Sequence, residues 1–276
     1  TRCSRDWSSD VCSSDLGYLR GKREVLAQGR LKDLGPLLVI WGACMLVLVE
    51  TNDLGSALLY FGIFLAMVYI ATGRLTYVLG GVGLFAIGGF GAYEKIPHVH
   101  ERVIIWLQPW TTKPVYCPLN GLPALRQDCQ SYQLVKSLYS IGNGGFMGTG
   151  FGNGTFSTTS GTPLIPFVNT DFIYSALAQE IGLIGASAML LVFMVCVARG
   201  MKIAIQADDG FSKLLAAGLT FGFALQTFII VGGVLRLIPL TGITLPFVSY
   251  GGSSVVTNFV LLAGLLLISN RANARS

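Results

Sequence analysis

Residues 54–73 read LGSALLYFGIFLAMVYIATG and carry no charged side chain. An apolar helix needs about 17 to 25 residues to cross the hydrocarbon core of a bilayer, so this stretch is long enough for one membrane span. Further runs of similar length, with few or no charges, occur on both sides of it. We therefore predict an all-α polytopic membrane protein with six transmembrane helices, within 34–49, 54–73, 75–93, 172–198, 214–235 and 253–270.

Charge is scarce in this chain and unevenly distributed. Of its 276 residues 52% are hydrophobic and 12% are charged, whereas soluble domains carry about 25% charged residues. Lys and Arg accumulate in the cytoplasmic loops of membrane proteins, and here they predict that both termini face the cytoplasm. No basic stripe interleaved with aromatic residues occurs, so we expect no nucleic-acid partner. The residues that set this orientation are Arg20, Lys22, Arg23, Arg30, Lys32, Arg74, Arg199, Lys202, Lys213, Arg271 and Arg275.

The first sixteen residues, TRCSRDWSSDVCSSDL, are polar, repeat Ser-Ser-Asp and belong to no periodic segment. They resemble a translated sequencing adaptor, and the alternative is a native disordered tail. Such segments are best left out of fold reasoning. The remaining organisation predicted is a basic cytoplasmic segment at 17–33, three spans at 34–93, a large extracellular loop at 94–171, three spans at 172–270 with a re-entrant-like outer loop at 237–252, and a cytoplasmic tail at 271–276.

The extracellular loop is longer than an ordinary connection, and loops of that length are usually functional or disordered. Residues 102–107 are amphipathic and suit the membrane surface, while 130–141 have helical apolar spacing. Residues 142–154, GNGGFMGTGFGNG, hold seven glycines in thirteen positions. We interpret this run either as simple turns or as a loop folded closely against a sugar or lipid headgroup, because glycine permits close backbone approach.

Two cysteines, Cys117 and Cys129, also lie in this loop. Outside the cytoplasm they could form a disulfide, and two free thiols are the alternative. Neither their spacing nor neighbouring histidines indicate zinc, so no metal site is predicted from them. His98 and His100 lack a third ligand and are expected to be solvated in a loop.

Asp171 stands where the outer loop ends and a span begins. It could cap the helix or act as a general base at the membrane surface. A helix N-terminus would stabilise its carboxylate, whereas burial would raise its pKa. Glu180 follows nine residues later, roughly 13 Å along a helix and on the opposite face, so we expect it inside the bilayer and not paired with Asp171.

Several other polar residues allow two interpretations each. Asp53 is either a solvated loop acid or a ligand for a cationic group. Arg102 could reach lipid phosphates or bind a substrate diphosphate, and Lys136 and Arg236 share that choice. The segment at 237–254, LIPLTGITLPFVSYGGSS, is irregular at membrane depth, which is tolerated only inside protein or along a cavity. That segment therefore indicates a site.

Taken together these stretches resemble the SEDS family (shape, elongation, division and sporulation), whose members include RodA, FtsW and SpoVE. The likeness runs from about Gly17 to the end and looks more like actinobacterial elongation-type members than division-type ones. It is carried by NDLGS at 52–56, YQ at 132–133, the run at 137–154, TDFI at 170–173, EIG at 180–182 and PLTGITLPFVSYGGSS at 239–254.

The resemblance implies a peptidoglycan glycosyltransferase that polymerises lipid II outside the bacterial cytoplasmic membrane. Asp171 matches the family's essential aspartate, which would take a proton from the acceptor hydroxyl as that oxygen attacks the anomeric carbon of a lipid diphosphate donor. A single base fits a reaction that inverts the anomeric configuration, from an α-linked diphosphate to a β-linked glycan. The expected substrate-binding residues are Asp53, Arg102, Gln133, Lys136, Glu180, Ser249 and Tyr250.

The resemblance also sets expectations about helpers and partners. Positive charge for diphosphate departure would come from Arg102, from residues that precede this chain, or from a divalent cation such as Mg or Mn. No other cofactor is expected. Family members commonly work with a class B penicillin-binding protein, a transpeptidase, so this partner is expected beside lipid II and membrane lipids.

The chain departs from the family pattern in several places. Gln179-Glu180 stands where two acids are common, Gln108-Pro109 where Asp-Pro is usual, and 111–130 looks like an insertion. Family members have ten spans, so we expect these six to be the last six and the chain alone to be inactive. The rival functions are a lipid II flippase, since broken helices and buried acids also suit transporters, and a non-catalytic scaffold.

Overall fold

The computed structural model describes Val39, Gly42 and residues 53–111, 114–117, 122–154, 165, 168–207 and 209–273. Apart from one two-stranded hairpin and a 3₁₀ turn at Arg126–Asp128, its regular elements are α-helices. In chain order they are α1 (Leu54–Thr72), α2 (Leu75–Lys95), α3 (Pro97–Leu107), β1 (Val115–Tyr116), β2 (Pro123–Ala124), α4 (Tyr132–Gly144), α5 (Ile173–Gln206), α6 (Gly210–Val234) and α7 (Gly252–Asn273).

Five of these helices, α1, α2, α5, α6 and α7, are long and apolar enough to cross a membrane. The prediction of an all-α polytopic membrane protein is confirmed. The predicted span at 34–49 lies outside the described residues, except for Val39 and Gly42, which are helical. The segments at 1–16 and 17–33 and residues 274–276 also lie outside them.

Local sequence fixes where several helices begin and end. Asp53 caps α1, because its carboxylate accepts a hydrogen bond from the backbone N–H of Ser56 at 3.1 Å. Gly73 ends α1 in the left-handed conformation at φ +68°, which glycine adopts without steric cost. Pro97 opens α3, where the missing N–H of proline leaves no hydrogen bond unmade.

The described residues divide into two compact units. The first holds the described parts of Thr1–Ala86, Cys196–Leu225 and Phe259–Ser276. Its core is built from apolar side chains on α1, α5, α6 and α7. The small ones among them let helices approach closely. Gly200 is an example, because a side chain there would collide with Thr220. The two buried clusters comprise Met67, Val68, Ala71 and Leu214, and Ala204, Ala207, Ala216, Ala217, Leu265 and Ile268.

The second unit comprises Ile87–Val195 and Gln226–Asn258 and contains all described residues of the predicted extracellular loop at 94–171. The strands β1 and β2 pair antiparallel, with Val115 opposite Ala124. A disulfide joins Cys117 to Cys129 across this hairpin, with Cα atoms 5.9 Å apart. Within the predicted insertion at 111–130, the described residues thus include a hairpin and a disulfide that ties Cys117 to the turn before α4.

Candidate active site

Asp171 lies in a turn at 168–172 that leads directly into α5. The turn is held by apolar burial and backbone bonds, since Phe172 is almost fully buried and its carbonyl accepts hydrogen bonds from Ser175 and Ala176. The carboxylate of Asp171 is only partly buried, and the side chain of Thr170 hydrogen-bonds to it. Asp171 is thus presented from a rigid helix start and keeps access to solvent.

The segment 245–250, distant in sequence, is hydrogen-bonded to this turn. The Ser249 hydroxyl donates to the Thr170 carbonyl at 2.6 Å and accepts from the Leu245 N–H at 2.8 Å. The Tyr250 N–H donates to the Asn169 carbonyl at 2.8 Å. Ser249 is buried, while the Tyr250 side chain is 79% exposed. Both predicted residues therefore reach the Asp171 turn, Ser249 by its side chain and Tyr250 by its backbone.

Because the Ser249 hydroxyl accepts the buried hydrogen bond of the Leu245 N–H, Ser249→Ala should leave that N–H without its partner. An unsatisfied buried polar group costs about 1–3 kcal/mol, so we expect thermal unfolding in detergent at a clearly lower temperature. Ser253→Ala is the matched control, because Ser253 is exposed at the start of α7. Equal unfolding temperatures for the two variants would contradict the role given to Ser249.

The irregular segment 235–251 approaches the carboxylate of Asp171 at Gly242. A Cβ atom placed on Gly242 would stand 3.5 Å from Oδ2 of Asp171, and the backbone there has φ +76°. Two side-chain bonds hold this segment in place. Gln226 Nε2 donates to the Thr244 carbonyl at 2.9 Å, and the hydroxyls of Thr244 and Ser254 lie 2.9 Å apart. These two bonds anchor the irregular segment to α6 and α7.

Arg102 supplies positive charge to the same place from α3. Its Nη1 donates to the Leu240 carbonyl at 2.9 Å, and its Nε donates to Nε2 of His98 at 3.0 Å. These two bonds fix a planar guanidinium whose charge acts on Asp171. The end of α3 is held likewise, because Arg236 Nε donates to the Trp106 carbonyl at 2.7 Å and Trp106 Nε1 donates to the Arg236 carbonyl at 3.1 Å.

Burial raises the pKa of Asp171 above the usual range of an aspartate. The hydrogen bond from Thr170 and the positive charge of Arg102 lower the pKa and offset only part of that effect. The carboxylate therefore holds a proton more readily than a solvated one. A raised pKa beside a fixed cation is what a general base on an anionic substrate needs.

The remaining predicted residues have other surroundings. Asp53 belongs to the first unit, where it caps α1. Oε1 of Glu180 accepts from the Gly152 N–H at 3.1 Å. On α4, Gln133 is partly buried and Lys136 Nζ lies 5.5 Å from the ring centre of Tyr132. Among the predicted residues, Ser249 and Tyr250 bond to the turn that carries Asp171, and the charge of Arg102 acts on its carboxylate.

Sequence reasoning missed Gly242 and His98 at this site, and a buried hydrogen bond of Gln179 on α5. Gly242 carried no signal beyond its irregular surroundings. His98 is exposed as expected, but it lies on α3 rather than in a loop, and its position four residues before Arg102 could have indicated the contact. Gln179, which stands where an acid is common, is buried, and its Oε1 accepts the Ser140 hydroxyl hydrogen bond. A neutral amide suits that enclosed position.

The glycine segment, defined as residues 142–154, packs by its backbone against a break in α5. Gly182 interrupts the helix at φ 69° and ψ −176°. Gly148 meets the backbone of Glu180 and Gly182 so closely that neither glycine leaves room for a side chain. The segment therefore makes a close approach to protein backbone, and its predicted contact with a sugar or lipid headgroup stays a prediction.

No group of three or more His, Cys, Asp and Glu side chains within the described residues could hold a metal ion. Asp171 and its neighbours supply one carboxylate and one guanidinium. Mg²⁺ commonly binds through one or two carboxylates together with substrate phosphates, so this donor set fits such an ion only with a phosphate ligand present.

The profile of the cell cycle protein family FTSW_RODA_SPOVE matches residues 17–274. This chain belongs to the FtsW/RodA/SpoVE family. Peptidoglycan glycosyltransferase RodA of Mycobacterium tuberculosis (strain ATCC 25618 / H37Rv) is 44% identical over 243 residues, which are 88% of this chain and 48% of that relative. Stage V sporulation protein E of Bacillus subtilis (strain 168) is 32% identical over 255 residues, 92% of this chain and 64% of that protein. The chain thus spans about half the length of the RodA relative.

Solved structures support the same fold for this family member. A chain from a peptidoglycan synthase complex that coordinates polymerization and crosslinking gives a TM-score of 0.69 at 22% identity, over 95% of this chain and 70% of that one. The rod shape determining protein RodA of Thermus thermophilus gives a TM-score of 0.56 at 22% identity, over 95% of this chain and 64% of that one. At this identity the likeness concerns the fold.

Proposed function

We propose that this protein takes part in peptidoglycan polymerisation as a glycosyltransferase on lipid II, with Asp171 as general base. The observation that carries the proposal is the partly buried carboxylate of Asp171, whose pKa is raised by burial and which lies within the charge influence of the fixed Arg102. Membership of the FtsW/RodA/SpoVE family supports it, because relatives that share 44% of the matched residues are peptidoglycan glycosyltransferases.

In the proposed reaction, Asp171 accepts the proton of an acceptor sugar hydroxyl while that oxygen bonds to the anomeric carbon of the donor. The bond between this carbon and the diphosphate oxygen breaks, and the lipid diphosphate leaves with its electron pair. Attack from the face opposite the leaving group inverts the anomeric configuration. One carboxylate is sufficient for this step, because the diphosphate leaves as a stable anion and needs no general acid.

Arg102 is proposed to stabilise the negative charge that develops on the departing diphosphate. Its guanidinium is held by Leu240 and His98, so it need not reorganise during the reaction, and preorganised charge is the most effective kind. A divalent cation such as Mg or Mn would enter this proposal only as an ion carried by the diphosphate. Gln133, Lys136, Asp53 and Glu180 stay predicted substrate-binding residues.

The proposal places both termini in the cytoplasm and the loop at 94–171 outside. The Cys117–Cys129 disulfide supports an outer location for the hairpin, because disulfides persist in oxidising compartments. A class B penicillin-binding protein is the proposed partner. The likeness in fold to a chain of a synthase complex that joins polymerization with crosslinking supports this choice.

The direct test is polymerisation of labelled lipid II by the native gene product purified from its own membranes. Glycan strands longer than the disaccharide unit support the proposal. If labelled lipid II instead crosses vesicle bilayers and no glycan forms, the flippase alternative is supported and the glycosyltransferase proposal fails.

The pH dependence of the reaction should reflect Asp171. A general base must be ionised, so the rate should fall tenfold per pH unit below the pKa of the carboxylate. Because burial raises that pKa, the decline should begin above the pH at which a solvated aspartate titrates. The measurement is the rate of polymerisation between about pH 4 and about pH 8, a range that begins near the ordinary pKa of an aspartate. A rate independent of pH over this range would contradict Asp171 as the base.

A further inference from the structure

The glycine segment supplies the hydrogen bonds that α5 loses at Gly182. In an unbroken helix the N–H groups of Leu183 and Ile184 would bond to carbonyls one turn earlier. Here the glycine segment provides the partners instead: two of its N–H groups donate to carbonyls of α5, and two of its carbonyls accept from N–H groups of α5. The bonds are Thr149 N to Gln179 O (2.9 Å), Gly150 N to Glu180 O (3.0 Å), Leu183 N to Gly145 O (2.9 Å) and Ile184 N to Phe146 O (3.3 Å).

The burial of α5 changes at this break. The part of the helix after the break, residues 183–206, has 24 residues and is roughly 36 Å long, enough to cross the hydrocarbon core of about 30 Å. Residues 172–182 are mostly buried, whereas from Leu183 onward large apolar side chains are exposed. Exposed apolar side chains on a membrane helix face lipid, so the outer hydrocarbon boundary falls close to Gly182. Those exposed residues are Leu183, Ile184, Leu191, Val192, Met194 and Val195.

The glycine segment carries three large apolar side chains that protrude from the protein. Phe146 is 73% exposed, Met147 is 81% exposed and Phe151 is 78% exposed. The backbone of Phe146 is bonded to Ile184, so this surface continues directly from the lipid-facing surface of α5. Isolated exposed apolar residues are normal in proteins, but three in six positions at a membrane boundary form a patch.

We infer that the glycine segment inserts Phe146, Met147 and Phe151 into the outer leaflet, where acyl chains of the bilayer cover them. The backbone bonds to α5 make the segment a rigid wedge at fixed depth. Glu180, expected within the bilayer, then lies at its boundary and bonds to Gly152. Since Ile173 is nine residues before Gly182, the Asp171 turn lies roughly 14 Å along the helix axis from the break.

Spin labels placed on the segment test this depth. Cysteine replaces Met147 or Phe151 in the full chain, in which Cys3, Cys12, Cys44 and Cys196 are alanine and the disulfide is kept. The chain is reconstituted in vesicles of phosphatidylethanolamine and phosphatidylglycerol. Collision of the label with oxygen, which concentrates in hydrocarbon, is compared with collision with a water-soluble nickel chelate. Val192→Cys is the lipid-facing control, and Glu101→Cys, at an exposed charged position on α3, is the water-facing control.

We expect the labels at 147 and 151 to resemble the one at 192, with a ratio of oxygen to nickel collisions several-fold above that at 101. A ratio at both positions equal to that at 101 overturns the inference. The result does not depend on the reaction at Asp171, because the readout is depth in a bilayer without substrate.

Discussion

Replacing Asp171 with asparagine is expected to reduce the rate of glycan polymerisation by about 10²- to 10⁴-fold, the usual contribution of a general base. Asparagine has nearly the same shape and can still accept a hydrogen bond from Thr170, but it cannot take a proton from the acceptor hydroxyl. The lost function is therefore proton acceptance rather than folding. The measurement is the initial rate with labelled lipid II, using the native gene product and its variant.

The thermal stability of the same variant gives an independent check. Because burial raises the pKa of Asp171, the folded protein favours the protonated carboxyl. Its contribution to folding stability is therefore present at low pH and is lost as the pH rises through the folded-state pKa. At neutral pH the neutral Asp171→Asn side chain avoids the burial of a charge, so its unfolding temperature should not fall.

Asp128→Asn is the matched control for the rate, because Asp128 is exposed in the 3₁₀ turn and has no place in the proposed machinery. It should polymerise as fast as the unaltered protein. If both Asp171→Asn and Asp128→Asn polymerise at the rate of the unaltered protein, Asp171 is excluded as the base. Loss of rate with early unfolding would instead indicate a structural role.

The membrane helices could be predicted from sequence because a bilayer imposes a simple requirement on composition and length. The uncharged run at 54–73 predicts α1 to within one residue, and 214–235 predicts most of α6. The start of α5 was also predicted to within one residue, but its end was placed at 198 and the helix continues to Gln206. Arg199 and Lys202 were assigned to a cytoplasmic loop, and positive charge marks the membrane boundary without marking the end of a helix.

The site was predictable only in part, because its contacts are distant in sequence. Asp171 could be predicted because it stands where a loop meets a span, and Ser249 because it lies in an irregular segment at membrane depth. However, the bond of Arg102 to Leu240 joins residues 138 positions apart, and no periodic pattern encodes such a pair. The same holds for the glycine segment, whose composition indicated a close approach but not the partner. That partner is the backbone of α5 around Gly182.

Gly182→Ala is expected to be the most destabilising of the single substitutions considered for the fold. At φ 69° and ψ −176° the backbone occupies a region that is essentially restricted to glycine, which alone costs about 1–3 kcal/mol for alanine. The added Cβ would also collide with the backbone of Phe146, Met147 and Gly148. Backbone cannot yield as a flexible side chain does, so overpacking adds about 1–3 kcal/mol more. The measurement is thermal unfolding in detergent.

Two glycine variants of the same segment separate strain from collision. Gly152 has φ +76° but open space around its Cβ position, so Gly152→Ala should show the strain of about 1–2 kcal/mol alone. Gly142 is helical in α4 with nothing within 4 Å, so Gly142→Ala should be neutral or stabilising by up to about 1 kcal/mol. If Gly182→Ala unfolds no earlier than Gly152→Ala, the backbone exchange with α5 does not hold the two segments together. If Gly182→Ala unfolds earlier than Gly152→Ala, as we expect, the backbone hydrogen bonds between the glycine segment and α5 hold the loop to the membrane helix.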